Sequence, residues 1–138
     1  KTNVECIIRE KGKTETLNVQ QLNTKQRYLT GEYELEILTL PRIYKTVRVN
    51  QSESTNVKIP EPGLVVLSAS SSPYGSIFKV SNQLKWVCDI NLNKGRQTIN
   101  LLPGKYKVIY RAKNASSSEY TKEKTFKVSS IKTVSLKL

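Results

Sequence analysis

Two thiols, Cys6 and Cys88, a single aspartate, Asp89, and a series of cations from Lys105 to Lys124 are the side chains in this 138-residue chain best suited to chemistry. Thiols can pair, bind metal or attack a substrate, but they rarely act alone. Histidine, the commonest base near neutral pH and a frequent metal ligand, is absent. Calcium loops need several closely spaced carboxylates, and one aspartate does not supply them. Lysine, tyrosine or paired glutamates remain as candidate catalysts, yet nothing in their spacing gathers them around a substrate. The expectation is a protein without catalysis, cofactor or metal.

The cations point elsewhere. The net charge of +12 is unevenly spread: residues 1–60 carry ten Lys/Arg against seven Glu, and residues 61–138 carry thirteen against four acids. A basic half attracts nucleic acid, anionic lipid or an acidic partner, although a solvated surface is the plainer reading. Lys105, Lys107, Arg111, Lys113, Lys122 and Lys124 form the candidate polyanion-binding face. A single-strand nucleic-acid site would pair such charges with stacking aromatics on one surface. Tyr106 and Tyr110 have the opposite parity to Lys105 and Lys107, so nucleic acid is not the expected partner. Glycan binding would need exposed aromatic platforms. Trp86 alternates with polar residues and is expected in the core, which leaves Tyr28, Tyr44, Tyr74 and Tyr120 as the aromatics nearer solvent.

What must position these groups is a set of strands. Apolar and polar residues alternate with a period of two at Val4-Cys6-Ile8, Tyr33-Leu35-Ile37, Val47-Val49 and Val57-Ile59. The same alternation returns at Trp86-Cys88-Ile90, Tyr106-Val108-Tyr110, Phe126-Val128 and Val134-Leu136-Leu138. Turn signals separate the runs: Thr30-Gly31, Pro60-Glu61-Pro62-Gly63, Ser72-Pro73-Tyr74-Gly75, Asn93-Lys94-Gly95 as a hairpin, Pro103-Gly104, and a polar loop from Asn114 to Ser118. No stretch carries an apolar stripe at helical spacing, and no apolar run is long enough to span a bilayer as a helix. Both cysteines fall on the apolar parity of their strands, which favours buried free thiols, with a bridge between them left open. Glu32, Glu34 and Glu36 fall on the outward parity of theirs. An intramolecular Lys–Asn or Lys–Asp isopeptide bond would need an inward lysine on an early strand, and none is evident.

The chain also repeats itself. Leu29-Thr30-Gly31-Glu32-Tyr33-Glu34-Leu35 aligns with Leu102-Pro103-Gly104-Lys105-Tyr106-Lys107-Val108, and Thr46-Val47-Arg48-Val49 aligns with Thr125-Phe126-Lys127-Val128. Val57 and Ile59 then match Val134 and Leu136. Insertions fall in loops and matches in strands, as a structural repeat requires. In Leu-x-Gly-x-Tyr the glycine permits a tight entry turn. The tyrosine enters the core with its hydroxyl able to reach a backbone partner. The predicted architecture is all-β: two tandem antiparallel β-sandwich units, 1–60 and 61–138, of prealbumin-like or immunoglobulin-like type. The second opens with Gly63-Leu64-Val65-Val66-Leu67, and the first lacks this opening strand or holds a shorter one.

These runs resemble a known arrangement. Gly31-Glu32-Tyr33-Glu34-Leu35-Glu36-Ile37-Leu38-Thr39-Leu40-Pro41 with Val47-Arg48-Val49 is one marker, and Ile59-Pro60-Glu61-Pro62-Gly63-Leu64 another. Leu102-Pro103-Gly104-Lys105-Tyr106 with Tyr110-Arg111-Ala112-Lys113-Asn114 and Tyr120-Thr121-Lys122-Glu123-Lys124 completes the set. Together they resemble the tandem β-sandwich tail that follows a von Willebrand factor A domain in certain bacterial envelope proteins. Leu102-Pro103-Gly104-Lys105-Tyr106 by itself also resembles the wider transthyretin-like modules. The resemblance implies an extracytoplasmic (periplasmic, cell-surface or secreted) structural or protein-interaction module. Its partners would be proteins, among them an upstream von Willebrand factor A domain. A glycan- or polyanion-binding module is the alternative. The metal site of that neighbouring domain does not carry over, because Ser68-Ala69-Ser70-Ser71-Ser72 lacks the leading aspartate.

Overall fold

The computed structural model describes residues 4–93, 95–112 and 121–138. These residues form strands and no helix. The strands are β1 (Glu5–Glu10), β2 (Asn18–Gln21), β3 (Gly31–Ile37), β4 (Ile43–Val49), β5 (Gly63–Ser68), β6 (Pro73–Val80), β7 (Leu84–Asn91), β8 (Arg96–Leu101), β9 (Gly104–Ala112), β10 (Lys122–Val128) and β11 (Thr133–Lys137). The chain divides into two compact units, Lys1–Ile59 and Pro60–Leu138.

The first unit holds one sheet in the order β2-β1-β3-β4, antiparallel throughout. Alternation puts Cys6 and Ile8 of β1 and Tyr33, Leu35 and Ile37 of β3 on one buried face. Tyr28, Val57 and Ile59 pack against that face from outside the sheet. The second unit holds two sheets, β10-β9-β6-β7 and β11-β5-β8. All pairs are antiparallel except β11 with β5, which run parallel. Val65 and Leu67 of β5, Ile77 of β6 and Tyr106 and Val108 of β9 are fully buried. Burying each such side chain stabilises the fold by about 1.5–3 kcal/mol.

The two units share a plan. The order β2-β1-β3-β4 matches β7-β6-β9-β10 strand for strand. Each unit enters its third matched strand through the same clasp. The Tyr33 hydroxyl donates to the Leu29 carbonyl at 2.5 Å, and the Tyr106 hydroxyl donates to the Leu102 carbonyl at 2.6 Å. At the first position of β9, inside the clasp, Gly104 adopts a φ of +154°, and a Cβ there would lie 2.7 Å from the Lys79 ammonium. The units differ in the second sheet. Val57 and Ile59, expected to form a strand, are packed on the core without a ladder. Their counterpart β11 finds its partner in β5, and no described strand of the first unit takes the place of β5.

Two turns read differently in three dimensions. Ser72-Pro73-Tyr74-Gly75 runs straight into β6, whose first residue is Pro73. A strand's first position tolerates a missing N–H. Gly75 sits inside β6, where a Cβ would lie 2.0 Å from the Ile109 carbonyl oxygen of β9. Asn93-Lys94-Gly95 is no hairpin, because it carries the chain from β7 in one sheet to β8 in the other. Gly95 turns that corner with a φ of +74°. Lys94 and the loop from Asn114 to Ser118 lie outside the described residues.

The clasps carry measurable stability. Tyr106→Phe leaves the buried Leu102 carbonyl without its donor and is expected to cost about 1–2 kcal/mol. Tyr33→Phe, at a part-buried bond, is expected to cost less. Urea unfolding followed by circular dichroism checks the order, and equal midpoints for both variants and wild type would refute it.

Candidate functional site

The outer face of β10-β9-β6-β7 is where aromatic and cationic side chains meet. Its composition turns on one extra residue in β7. Ile77 pairs with Cys88 and Phe78 pairs with Trp86, so Val87 has no partner opposite it. Such a bulge reverses the parity of everything on one side of it. Val87 and Ile90 therefore both face inward and are buried, while Trp86 faces solvent with 61% of its surface exposed. The expectation that Trp86 lies in the core fails for this reason.

Cross-strand registry then defines rows on this face. Trp86 lies beside Phe78, Phe78 beside Lys107, and Lys107 beside Thr125. One row along, Asp89, Ser76, Ile109 and Glu123 stand side by side. Tyr74 lies beside Arg111 at one end, and Lys105 beside Lys127 at the other. The indole of Trp86 is fixed: its Nε1–H donates to Asp89 Oδ1 at 2.9 Å, and the Ser76 hydroxyl donates to the same oxygen at 2.7 Å. These two donors, Ser76 first, hold the Asp89 carboxyl below the usual carboxylate range. Asp89 is thus an ionised acceptor at the edge of an open aromatic ring.

Of the six cations read from the sequence as one face, Lys105, Lys107 and Arg111 share this surface. Lys122 and Lys124 do not, because they stand opposite Tyr110 and Val108 on the inward parity of the edge strand β10. The Lys124 ammonium reaches instead to the Lys137 carbonyl. Lys113 lies outside the described residues, as does Tyr120. Lys127, absent from that set, joins the surface through its pairing with Lys105. Among the expected exposed tyrosines, Tyr44 and Tyr74 are exposed, while Tyr28 packs on the first unit's core. An inward lysine does exist: Lys79 lies on the core parity of β6 with its ammonium 5.3 Å from the Tyr106 ring centre.

The equivalent face of the first unit is chemically different. Glu32, Glu34 and Glu36 occupy its third strand, but Glu36 is buried rather than solvated. Arg9 donates to Glu36 Oε1 at 3.0 Å and Arg42 to Oε2. Lys11 and Arg48 flank Glu32 at 2.8 Å and 3.4 Å. Hydrogen bonds from Arg9 and then Arg42 hold the Glu36 carboxyl below its ordinary range. An open depression of about 580 Å³ lies beside this cluster, lined by Arg9, Glu34, Glu36, Tyr44 and Lys45 among others. Within it Arg9 is bound to Glu36, and Glu34 accepts from the Gly12 N–H at 2.9 Å.

Cys6 is buried and Cys88 half-buried, both as free thiols. Burial pushes both thiols up, with Asp89 adding to the effect at Cys88, so neither is an activated nucleophile near neutral pH. Among the described residues, no group of three or more His, Cys, Asp or Glu side chains could hold a metal ion. No family model matches the chain, and no similar protein was found among curated sequences or solved structures.

Because the Glu36 carboxyl is held low in the folded state, its contribution to stability is present above the ordinary carboxylate range and lost as pH falls through the folded value. The urea midpoint of Glu36→Gln is therefore expected to fall furthest below wild type near neutral pH, with the gap closing below about pH 4. A constant gap across that range would refute the linkage.

Proposed function

We propose that this chain is a non-catalytic binding module, an accessory region of a larger extracytoplasmic protein, built as two tandem units on one sandwich plan. Unit 2 is a β-sandwich of its two sheets, and its working surface is the outer face of the four-stranded sheet. An anionic partner binds there. The single observation that carries the reading is the exposed, pinned Trp86 in one row with Phe78 and Lys107. What supports a binding role is that Trp86 is not exposed singly but stands beside Phe78, itself beside Lys107.

The tandem plan itself favours a second reading, in which the chain is a structural stalk or protein-interaction region behind a von Willebrand factor A domain. The resemblance of the Leu-x-Gly-x-Tyr units and their junction supports it. The two readings share compartment and absence of catalysis and differ in whether the aromatic face is occupied.

Retention on a dextran sulfate column separates them. The double variant Lys105→Gln with Lys107→Gln is expected to elute at lower salt than Lys45→Gln with Lys58→Gln, which removes equal charge from the first unit. Identical elution would mean that the charge acts diffusely and that the face is not a binding surface.

A further inference from the structure

We propose that the ligand of the β10-β9-β6-β7 outer face is an acidic polysaccharide strand, bound with one sugar ring on Trp86 and the acidic group of another sugar of the same strand at Lys107. This rests on the reading of that face as a binding surface. Three features of the face match three features of such a polymer.

The first is the ring. Trp86 presents an exposed indole, and the hydrogen bond from Nε1–H to Asp89 prevents it from swinging away. A pyranose stacks its C–H face on an aromatic of this kind, and a fixed ring loses less entropy on binding. The second is the acceptor. Asp89 receives both Ser76 and Trp86 on Oδ1, which leaves Oδ2 to accept from a sugar hydroxyl. An ionised acceptor gives a strong, short bond to a hydroxyl. The third is the cation row. Phe78 separates Trp86 from Lys107, so their backbones stand two strand spacings apart, about 10 Å. That separation spans more than one sugar ring and suits two sugars of the same chain. Lys105 follows two residues along β9, and Lys127 stands beside it.

The same face is poorly matched to a nucleic-acid strand. Single-strand sites stack successive bases on several aromatics. Here Trp86 and Phe78 are adjacent, but the next aromatic along β6, Tyr74, is four residues from Phe78, roughly 13 Å away. Asp89 and Glu123 occupy the row between, and Glu123 already pairs with Lys107 at 3.4 Å. These carboxylates oppose any polyanion alike, but Asp89 can accept from the hydroxyls of a sugar chain, which a phosphate group does not offer.

Trp86 is the only tryptophan, so its emission reports on this surface alone. Polygalacturonate added to the whole chain at low salt is expected to change Trp86 emission saturably, and neutral dextran is expected to leave it unchanged. Asp89→Asn and Lys107→Gln are each expected to weaken polygalacturonate binding by about tenfold. Far-ultraviolet circular dichroism confirms that each variant is folded. Loss from Lys107→Gln but not from Asp89→Asn would show charge attraction without sugar recognition and would overturn the proposal. An equal or stronger response to oligothymidylate would overturn it in favour of nucleic acid. No emission change with polygalacturonate, while the dextran sulfate column still distinguishes the two double variants, would refute the ligand class and leave the binding face standing.

Discussion

A hydroxyl reaching back four residues governs how both units are built. In each, a tyrosine at the third position of the third matched strand donates to the carbonyl of the leucine that precedes the turn. The bond ties the end of one segment to the start of the next strand while the ring fills the core. It also sets parity. Once Tyr106 points inward, Lys105 and Lys107 point outward, and once Tyr33 points inward, Glu32 and Glu34 do. One clasp therefore presents opposite charges on equivalent surfaces. In the second unit the burial that makes the clasp strong pushes the Tyr106 hydroxyl up to about 12, so it remains a donor across the working pH range.

Much of this was legible in the residues, because period-two alternation and the Leu-x-Gly-x-Tyr repeat are local signals. The inward sets at Tyr33-Leu35-Ile37 and Tyr106-Val108-Tyr110 follow from them directly. The candidate site was only half legible. The lysines of β9 could be assigned a face, but the aromatics that share it come from β6 and β7, and strand order decides that. The aromatics that share the face with Lys105 and Lys107 are Trp86 and Phe78, not Tyr106 and Tyr110. Trp86 misled because Trp86, Cys88 and Ile90 alternate cleanly, and the bulge at Val87 leaves no mark in the alternation. Pro73 and Gly75 misled in the other direction. Both are turn residues by habit, yet one opens β6 and the other permits a close approach to β9. The polar strand β2 (Asn18–Gln21) has no apolar alternation at all. It is held by pairing with β1 rather than by burial.

The charge difference between the units is one of composition, and pairing sharpens it. In the first, Arg9 and Arg42 converge on Glu36, and Lys11 and Arg48 on Glu32. Those side chains are fixed by one another and leave little field for a partner. On the second unit's outer face, the ion pair found among the described residues is Lys107 with Glu123, and Lys105 and Lys127 stand side by side. Like charges so placed repel, and a bound anion relieves that repulsion. The arrangement forgoes some stability where an anion would restore it.

The parallel pairing of β11 with β5 has a consequence for how the second unit acquires its shape. Thr133 stands beside Leu64, so the ladder joins stretches separated by about 70 residues of intervening chain. No hairpin can nucleate such a contact. The entropy of drawing so long a loop shut is spent before the first of its hydrogen bonds forms, which makes assembly slow and all-or-none. Until that closure, β5 has one bare flank, and Val65 and Leu67 lack the cover they have in the finished unit. A nascent or stressed molecule is therefore most vulnerable to sticking to its neighbours at β5, which lies in the other sheet from the Trp86 face.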